Sequence, residues 1–184
     1  MASEVPASAW RGRYPDLAGR VAVVAGDDEP VIEIAAALAA TGMSLAVVSA
    51  ARATVDHAIA AVETYGVAVI GVAADPAESA TWSRVVPHSE QRLGPLDVLV
   101  AIGRPHARDA ALAAITPDMA ARRRGVVIEV GEARPAGTPS GDGVRRRLVT
   151  TAHGAAASDL AAAVALCASD VLMAPSAVIR LGES

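Results

Sequence analysis

Seven short apolar runs, separated by stretches with helical periodicity, limit what this chain can fold into. The runs are Val21 to Ala25, Leu45 to Ser49, Val67 to Ala73, Leu96 to Ala101, Gly125 to Val130, Arg145 to Thr151 and Ser176 to Leu181. Most are nearly continuous in Val, Ile, Leu and Ala, the pattern of strands buried on both faces. Arg145 to Thr151 fits least well. Its three opening arginines predict an exposed edge or a partner contact. The intervening stretches read as helices. Val31 to Ala40 has an apolar face of Val31, Ile34 and Leu38 and a stop at Gly42. Thr54 can cap a helix that runs to Tyr65 and ends at Gly66. Asp75-Pro76 opens a helix that reaches about Leu93, and Pro87 should kink or break it. A short helix is expected around Asp118 to Arg123, and Ser158 can cap one that continues through Ala168. Gly131 to Gly143 is rich in Gly and Pro and reads as a loop. Alternating strands and helices imply a doubly wound α/β domain with a parallel sheet. Residues 1–15 read as a polar N-terminal arm and residues 16–184 as the domain.

Composition narrows the core and the partners. The chain is 53% hydrophobic but only 2% aromatic, with no Phe, so small aliphatic side chains must fill the interior. A net charge of -4 argues against nucleic acid or an anionic membrane as the main partner, because phosphate binding needs clustered positive charge. All 16 basic residues are Arg, so no mechanism that needs a lysine can operate. Cys167 is the only cysteine, which excludes an intrachain disulfide and a cysteine metal cluster. A reducing, cytoplasmic setting is the default expectation. Residues 1–16 lack the apolar stretch of a signal peptide. Ile34 to Ala51 is uncharged for long enough to raise a membrane span. Thr41-Gly42 interrupts it and its second half is β-branched, so helix, turn and strand is the better reading.

The turn after the first run has the layout of a dinucleotide-binding turn but not its chemistry. Such a turn needs glycines, so that backbone N–H groups can close on a pyrophosphate at a helix N-terminus. Here Asp27, Asp28 and Glu29 follow Gly26, and Pro30 and Ile32 stand where later glycines are expected. The three acids could attract a cation, but they lack a calcium-loop pattern, and no metal site is expected.

With these residues in view, the chain resembles the short-chain dehydrogenase/reductase family from Asp16 to the C-terminus, as a shortened and degenerate member. Asp16 to Gly26 is similar to the family's opening strand. Asp75 stands where the family places an acid against the adenine ring, and Gly94 to Gly103 resembles the stretch leading into its Asn-Asn-Ala-Gly motif. Arg124 to Val130 resembles the strand before the catalytic Ser, and Gly143 to Gly154 the strand that ends in Pro-Gly. Ser158 to Asp170, with the strand after it, resembles the C-terminal helix and strand. The resemblance implies a Rossmann-like fold, NAD(P) as cofactor and oxidoreductase activity. It implies vestigial cofactor positions at Gly26, Arg52, Asp75 and Gly103, with Arg52 where NADP-dependent members hold the 2′-phosphate.

The departures fall on the chemistry. Only Gly26 remains of the first glycine motif, and only Gly103 of the second. Glu129, Gly131 and Glu132 occupy the region of the catalytic Ser. The helix that carries Tyr-x-x-x-Lys is expected to be deleted, and the helix before the fifth strand shortened. Loss of a positioned acid/base costs roughly 10²–10⁴ in rate. A carboxylate ~5 Å from a phosphate repels it by about 3 kcal/mol at an effective dielectric of ~20. NAD(P) is therefore expected to bind weakly or not at all. The loss of these helices should also uncover apolar sheet surface.

Three functions follow as expectations. One is a non-catalytic partner or regulatory subunit, in a homo- or hetero-oligomer with a subunit of the same family. The second is a non-redox isomerase, cyclase or dehydratase that uses His106 or His153 with Glu132. The third is a residual NAD(P)-dependent oxidoreductase.

Overall fold

The computed structural model describes residues 13–26, 30–131, 143–151, 156–170 and 176–181. The strands are β1 (Val21–Ala25), β2 (Ser44–Ser49), β3 (Val69–Ala73), β4 (Val98–Ile102), β5 (Gly125–Val130), β6 (Val144–Thr151) and β7 (Ser176–Leu181). They form one seven-stranded sheet in the order β3-β2-β1-β4-β5-β6-β7, and every pairing is parallel. The order reverses direction between β1 and β4, the switch point of a doubly wound sheet.

The helices are α1 (Pro30–Ala40), α2 (Arg52–Glu63), α3 (Ser79–Leu93), α4 (Pro105–Ala121) and α5 (Ala157–Ala168). Side chains alternate along each strand and so feed two cores. Ala22, Val24, Val100 and Ile128 join Ile34 and Leu38 of α1, Val62 of α2 and Val164 of α5 on one face. Val23, Leu99 and Val127 join Trp82 of α3 and Ile115 and Met119 of α4 on the other. With so few aromatics, backbones must approach closely. A Cβ on Gly71 of β3 would lie 2.4 Å from a methyl of Val55 in α2, so glycine lets that helix seat against the edge strand.

Several local expectations are corrected. Helix α3 runs without interruption through Pro87, because Pro87 is exposed. The carbonyl it leaves without a helical partner, on Ser83, lies on the solvent side, where water can satisfy it. The same holds for Pro117, and here it changes the length of an element: α4 covers 17 residues rather than a short segment at Asp118 to Arg123. Neither Thr54 nor Ser158 is a cap; the caps are Ala51 and Ala156, without a side-chain hydrogen bond. Tyr14, expected in the polar arm, is buried, and a 3-10 turn follows at Pro15–Leu17. Residues 1–12 lie outside the described residues.

Strand β6 is an interior strand, not an edge, since β7 pairs with it. Its arginines are used within the fold. Arg147 is buried, and its Nη1 donates to the Arg146 carbonyl. Arg145 pairs with Asp170, which also accepts from Arg20 Nη2 at 2.5 Å. Asp16 accepts from Ser169 Oγ at 2.8 Å and from the Asp170 backbone N–H at 2.7 Å. This cluster ties the 3-10 turn, β6 and the end of α5 together beneath the sheet. Nor is the sheet face beside β5 and β6 bare where it is described, because Val127, Val144 and Leu148 are all buried. The arginines that close α4 also have specific partners: Arg122 donates to the Leu96 carbonyl at 2.6 Å, and Arg124 pairs with Asp97 at 3.1 Å.

Two outcomes are expected. Partial burial pushes the Asp170 carboxyl upward, but the Arg20 hydrogen bond and the charges of Arg145 and Arg20 outweigh it and hold it below the usual aspartate range. A depressed acid contributes stability above its unfolded value and loses it as pH falls through the folded value. Unfolding midpoints should therefore drop below about pH 4. Asp170→Asn should cost ~1 kcal/mol at neutral pH, discounted because the carboxylate is partly solvated, and should flatten that acid limb. Burial also pushes the Cys167 thiol up to about 11, with Arg147 opposing. At about pH 8 it should resist an aromatic disulfide reagent in the native protein and react fully in denaturant.

Candidate functional site

The C-terminal ends of β1 and β4 meet at the switch point, and the turn after edge strand β3 opens on the same end of the sheet. Gly26, directly after β1, donates its N–H to the Val48 carbonyl at 3.0 Å. A Cβ at this position would lie 2.9 Å from Ile102 Cβ and 3.1 Å from a Val31 methyl. Packing between β1, β4 and α1 is therefore enough to require glycine at 26. After β3, Asp75 Oδ1 accepts from the Ala77 N–H at 2.8 Å and closes a tight turn. Buried Trp82 of α3 donates Nε1 to the Pro76 carbonyl at 2.9 Å and pins that turn from below. After β4, Gly103 turns the chain with φ +103°, in the left-handed region that suits glycine. Pro105 then starts α4, its missing N–H falling where a helix leaves donors unused.

The turns after β3 and β4 enclose a cavity of about 470 Å³ lined by Asp75, Ala77, Ile102, Gly103, Arg104, His106 and Ala107. The sequence-predicted residues Asp75, Gly103 and His106 are thus brought together. A shallower depression of about 500 Å³ adjoins it, lined in part by His106, Glu78 and Asp109. His106 is exposed, and among the described residues no hydrogen bond orients its ring. Gly26 packs behind the cavity against Ile102 and does not line it. Arg52, at the start of α2, is 79% exposed and paired with Asp56 at 3.3 Å; it does not line the cavity either. His153, Glu132 and the acids Asp27, Asp28 and Glu29 lie outside the described residues.

The residues at the β1–α1 turn do not suit a pyrophosphate. Gly26 has a packing reason to be glycine, three acids follow it, and Pro30 at the head of α1 has no N–H to donate. The described residues also contain no cluster of His, Cys, Asp and Glu suited to a metal ion. No described helix is long and apolar enough to cross a membrane.

The pairing of Arg108 with Glu129 is visible only in the structure. Arg108 of α4 is buried to 1% exposure. Its Nη1 lies 4.0 Å from Glu129 Oε2 on β5. Among the described residues the three guanidinium nitrogens and that oxygen have no hydrogen-bond partner. The available signal was register: Arg108 is three residues before Ala111 and seven before Ile115, both buried on the sheet-facing side of α4.

Comparisons with known proteins agree with this geometry. Residues 20–103, from β1 to the end of β4, match the family model described as short chain dehydrogenase. No curated protein matches the chain. Among solved structures, a metagenomic short-chain oxidoreductase in complex with NADP is 20% identical, with a TM-score of 0.73 over 91% of this chain and 100% of that one. The L-sorbose reductase of Gluconobacter frateurii, complexed with NADPH and L-sorbose, is 17% identical, with a TM-score of 0.74 over 89% and 95%. An NAD+-bound xylitol dehydrogenase is 13% identical, with a TM-score of 0.75 over 90% and 98%. At these identities the likeness is one of fold.

The packing role of Gly26 has a direct test. Gly26→Ala should destabilise by about 1–3 kcal/mol in chemical denaturation, because β1, β4 and α1 must part to admit the methyl. Arg52→Ala, which removes only a solvated pair, should stay within about 0.5 kcal/mol. Residues 20–103, from β1 to the end of β4, are thus similar to the short chain dehydrogenase family, and most of the chain shares the fold of solved short-chain dehydrogenases/reductases.

Proposed function

We propose that this chain is a family member without NAD(P)-dependent redox turnover, acting as a non-catalytic partner or regulatory subunit. One observation carries the reading. Strand β5 ends at Val130 and β6 begins at Val144, paired in parallel, so only residues 131–143 remain for the segment in which the family's long Tyr-x-x-x-Lys helix is expected. The chain also has no lysine. A tyrosine needs a neighbouring positive charge and a fixed position to work as an acid near neutral pH, and neither Tyr14 nor Tyr65 has a lysine in register. The acids and proline of the β1–α1 turn weaken the pyrophosphate subsite in addition.

Two other readings have support of their own. The cavity that holds His106 beside Asp75 favours a non-redox isomerase, cyclase or dehydratase acting on a small molecule, with His106 or His153 and Glu132 moving the proton. The match to the short chain dehydrogenase model favours residual oxidoreductase activity.

Steady-state assays with NADH and NADPH against a panel of ketones and sugars should give no turnover above buffer. An NADPH fluorescence titration should be weak and unsaturated. Saturable turnover would restore the oxidoreductase reading. His106→Ala separates the other two: it should leave partner capture in the native host unchanged and would abolish a non-redox activity.

A further inference from the structure

We infer that the hollow between edge strand β3 and helix α3 is a ligand site of its own, which takes a small monocarboxylate with a short apolar body. The hollow has a volume of about 310 Å³ and is lined by Val72, Thr81, Arg84, Val85 and His88. Small-molecule pockets reach down to this size, and they pair mostly apolar walls with a few convergent polar groups. It shares no lining residue with the cavity over Gly103 or with the depression beside that cavity.

The strand and helix periods build it. β3 is an edge strand, paired on one side with β2. Its side chains alternate, and Val72 turns to the α3 face, where it packs on the core that holds Trp82 and Val85. On α3, positions 81, 84, 85 and 88 fall at i, i+3, i+4 and i+7, one stripe of the helix. Val72 and Val85 form the apolar wall, and exposed Arg84 and His88 stand one turn apart at the rim.

The polar groups of this stripe await an acceptor. Among the described residues neither Arg84 nor His88 makes a hydrogen bond or an ion pair. Thr81 is 1% exposed, and its Oγ1 is likewise without a partner among them. Buried hydroxyls in folded proteins nearly always find one. A carboxylate accepts from a hydroxyl and from the forked donors of a guanidinium at once. The stripe continues to Arg92 and carries no acid. Glu78, one turn before Thr81, lines the neighbouring depression instead. The positive rim rejects a cation, and the valine wall favours a ligand that is apolar beyond its acid group.

The test is two-dimensional amide NMR of the full chain, titrated with hexanoate, acetate and hexanol at constant ionic strength. Hexanoate should shift the amides of Val72, Thr81, Arg84, Val85 and His88 saturably. Acetate, without the apolar body, and hexanol, without the charge, should each need roughly tenfold higher concentration or more. Arg84→Met, at an exposed position, should fold and bind roughly tenfold more weakly. Thr81→Val removes the hydroxyl at nearly constant shape; it should bind several-fold more weakly, while its Tm without ligand stays level or rises. His106→Ala should bind as the parent chain does, which separates this site from the cavity over Gly103. Shifts that stay linear or map elsewhere would overturn the inference. So would equal affinity for hexanoate and either control, or unchanged binding in Arg84→Met or Thr81→Val.

Discussion

The end of β1 and the end of β4 are packed so closely that a methyl group on Gly26 would lie 2.9 Å from Ile102 Cβ. That contact is made at the switch point, where helices leave for opposite faces of the sheet. It sets where α1 begins and how near the Gly103 turn stands to the turn after β3. The cavity lined by Asp75, Gly103, Arg104 and His106 is the gap that this spacing leaves. In the family at large, a glycine after the first strand admits a cofactor. Here packing alone is a sufficient reason for it, so its survival is no measure of cofactor binding.

The same economy runs through the core. With no Phe and few aromatics, the chain gains burial by bringing backbones together over Val, Ala, Leu and Ile. Close approach makes interior positions sensitive to single methyl groups. It also leaves little room for polar atoms, so buried Arg108 beside half-buried Glu129 stands out. They lie at the carboxyl end of the sheet, where ligands bind in such folds. The Asp16, Arg20, Arg145 and Asp170 cluster lies at the opposite end and serves stability.

Much of the fold was legible because strand burial writes itself into composition. Val21 to Ala25 and Gly125 to Val130 match the observed strands residue for residue, and β6 and β7 match to within one residue. Gly42 and Gly66 end helices at positive φ, as their chemistry suggests. The errors share a cause. Pro87 reads as a breaker because local rules do not say which face of a helix meets water. Thr54 and Ser158 read as caps, although each falls inside the first turn of its helix. The arginines of β6 read as an edge because their acidic partners are distant in sequence: Asp170 lies 25 residues beyond Arg145.

The sequence by itself determined the doubly wound sheet, the absence of lysine and the acidic chemistry of the β1–α1 turn. These depend on residue identity and local period, which a chain carries wherever it folds. Only the tertiary structure decided that Gly26 has a packing role, that Arg52 stands away from the cavity while Asp75 and His106 share it, and that Arg108 is buried beside Glu129. Those facts concern groups brought together across the sheet by strand register and helix rotation, and neighbours along the chain do not encode them.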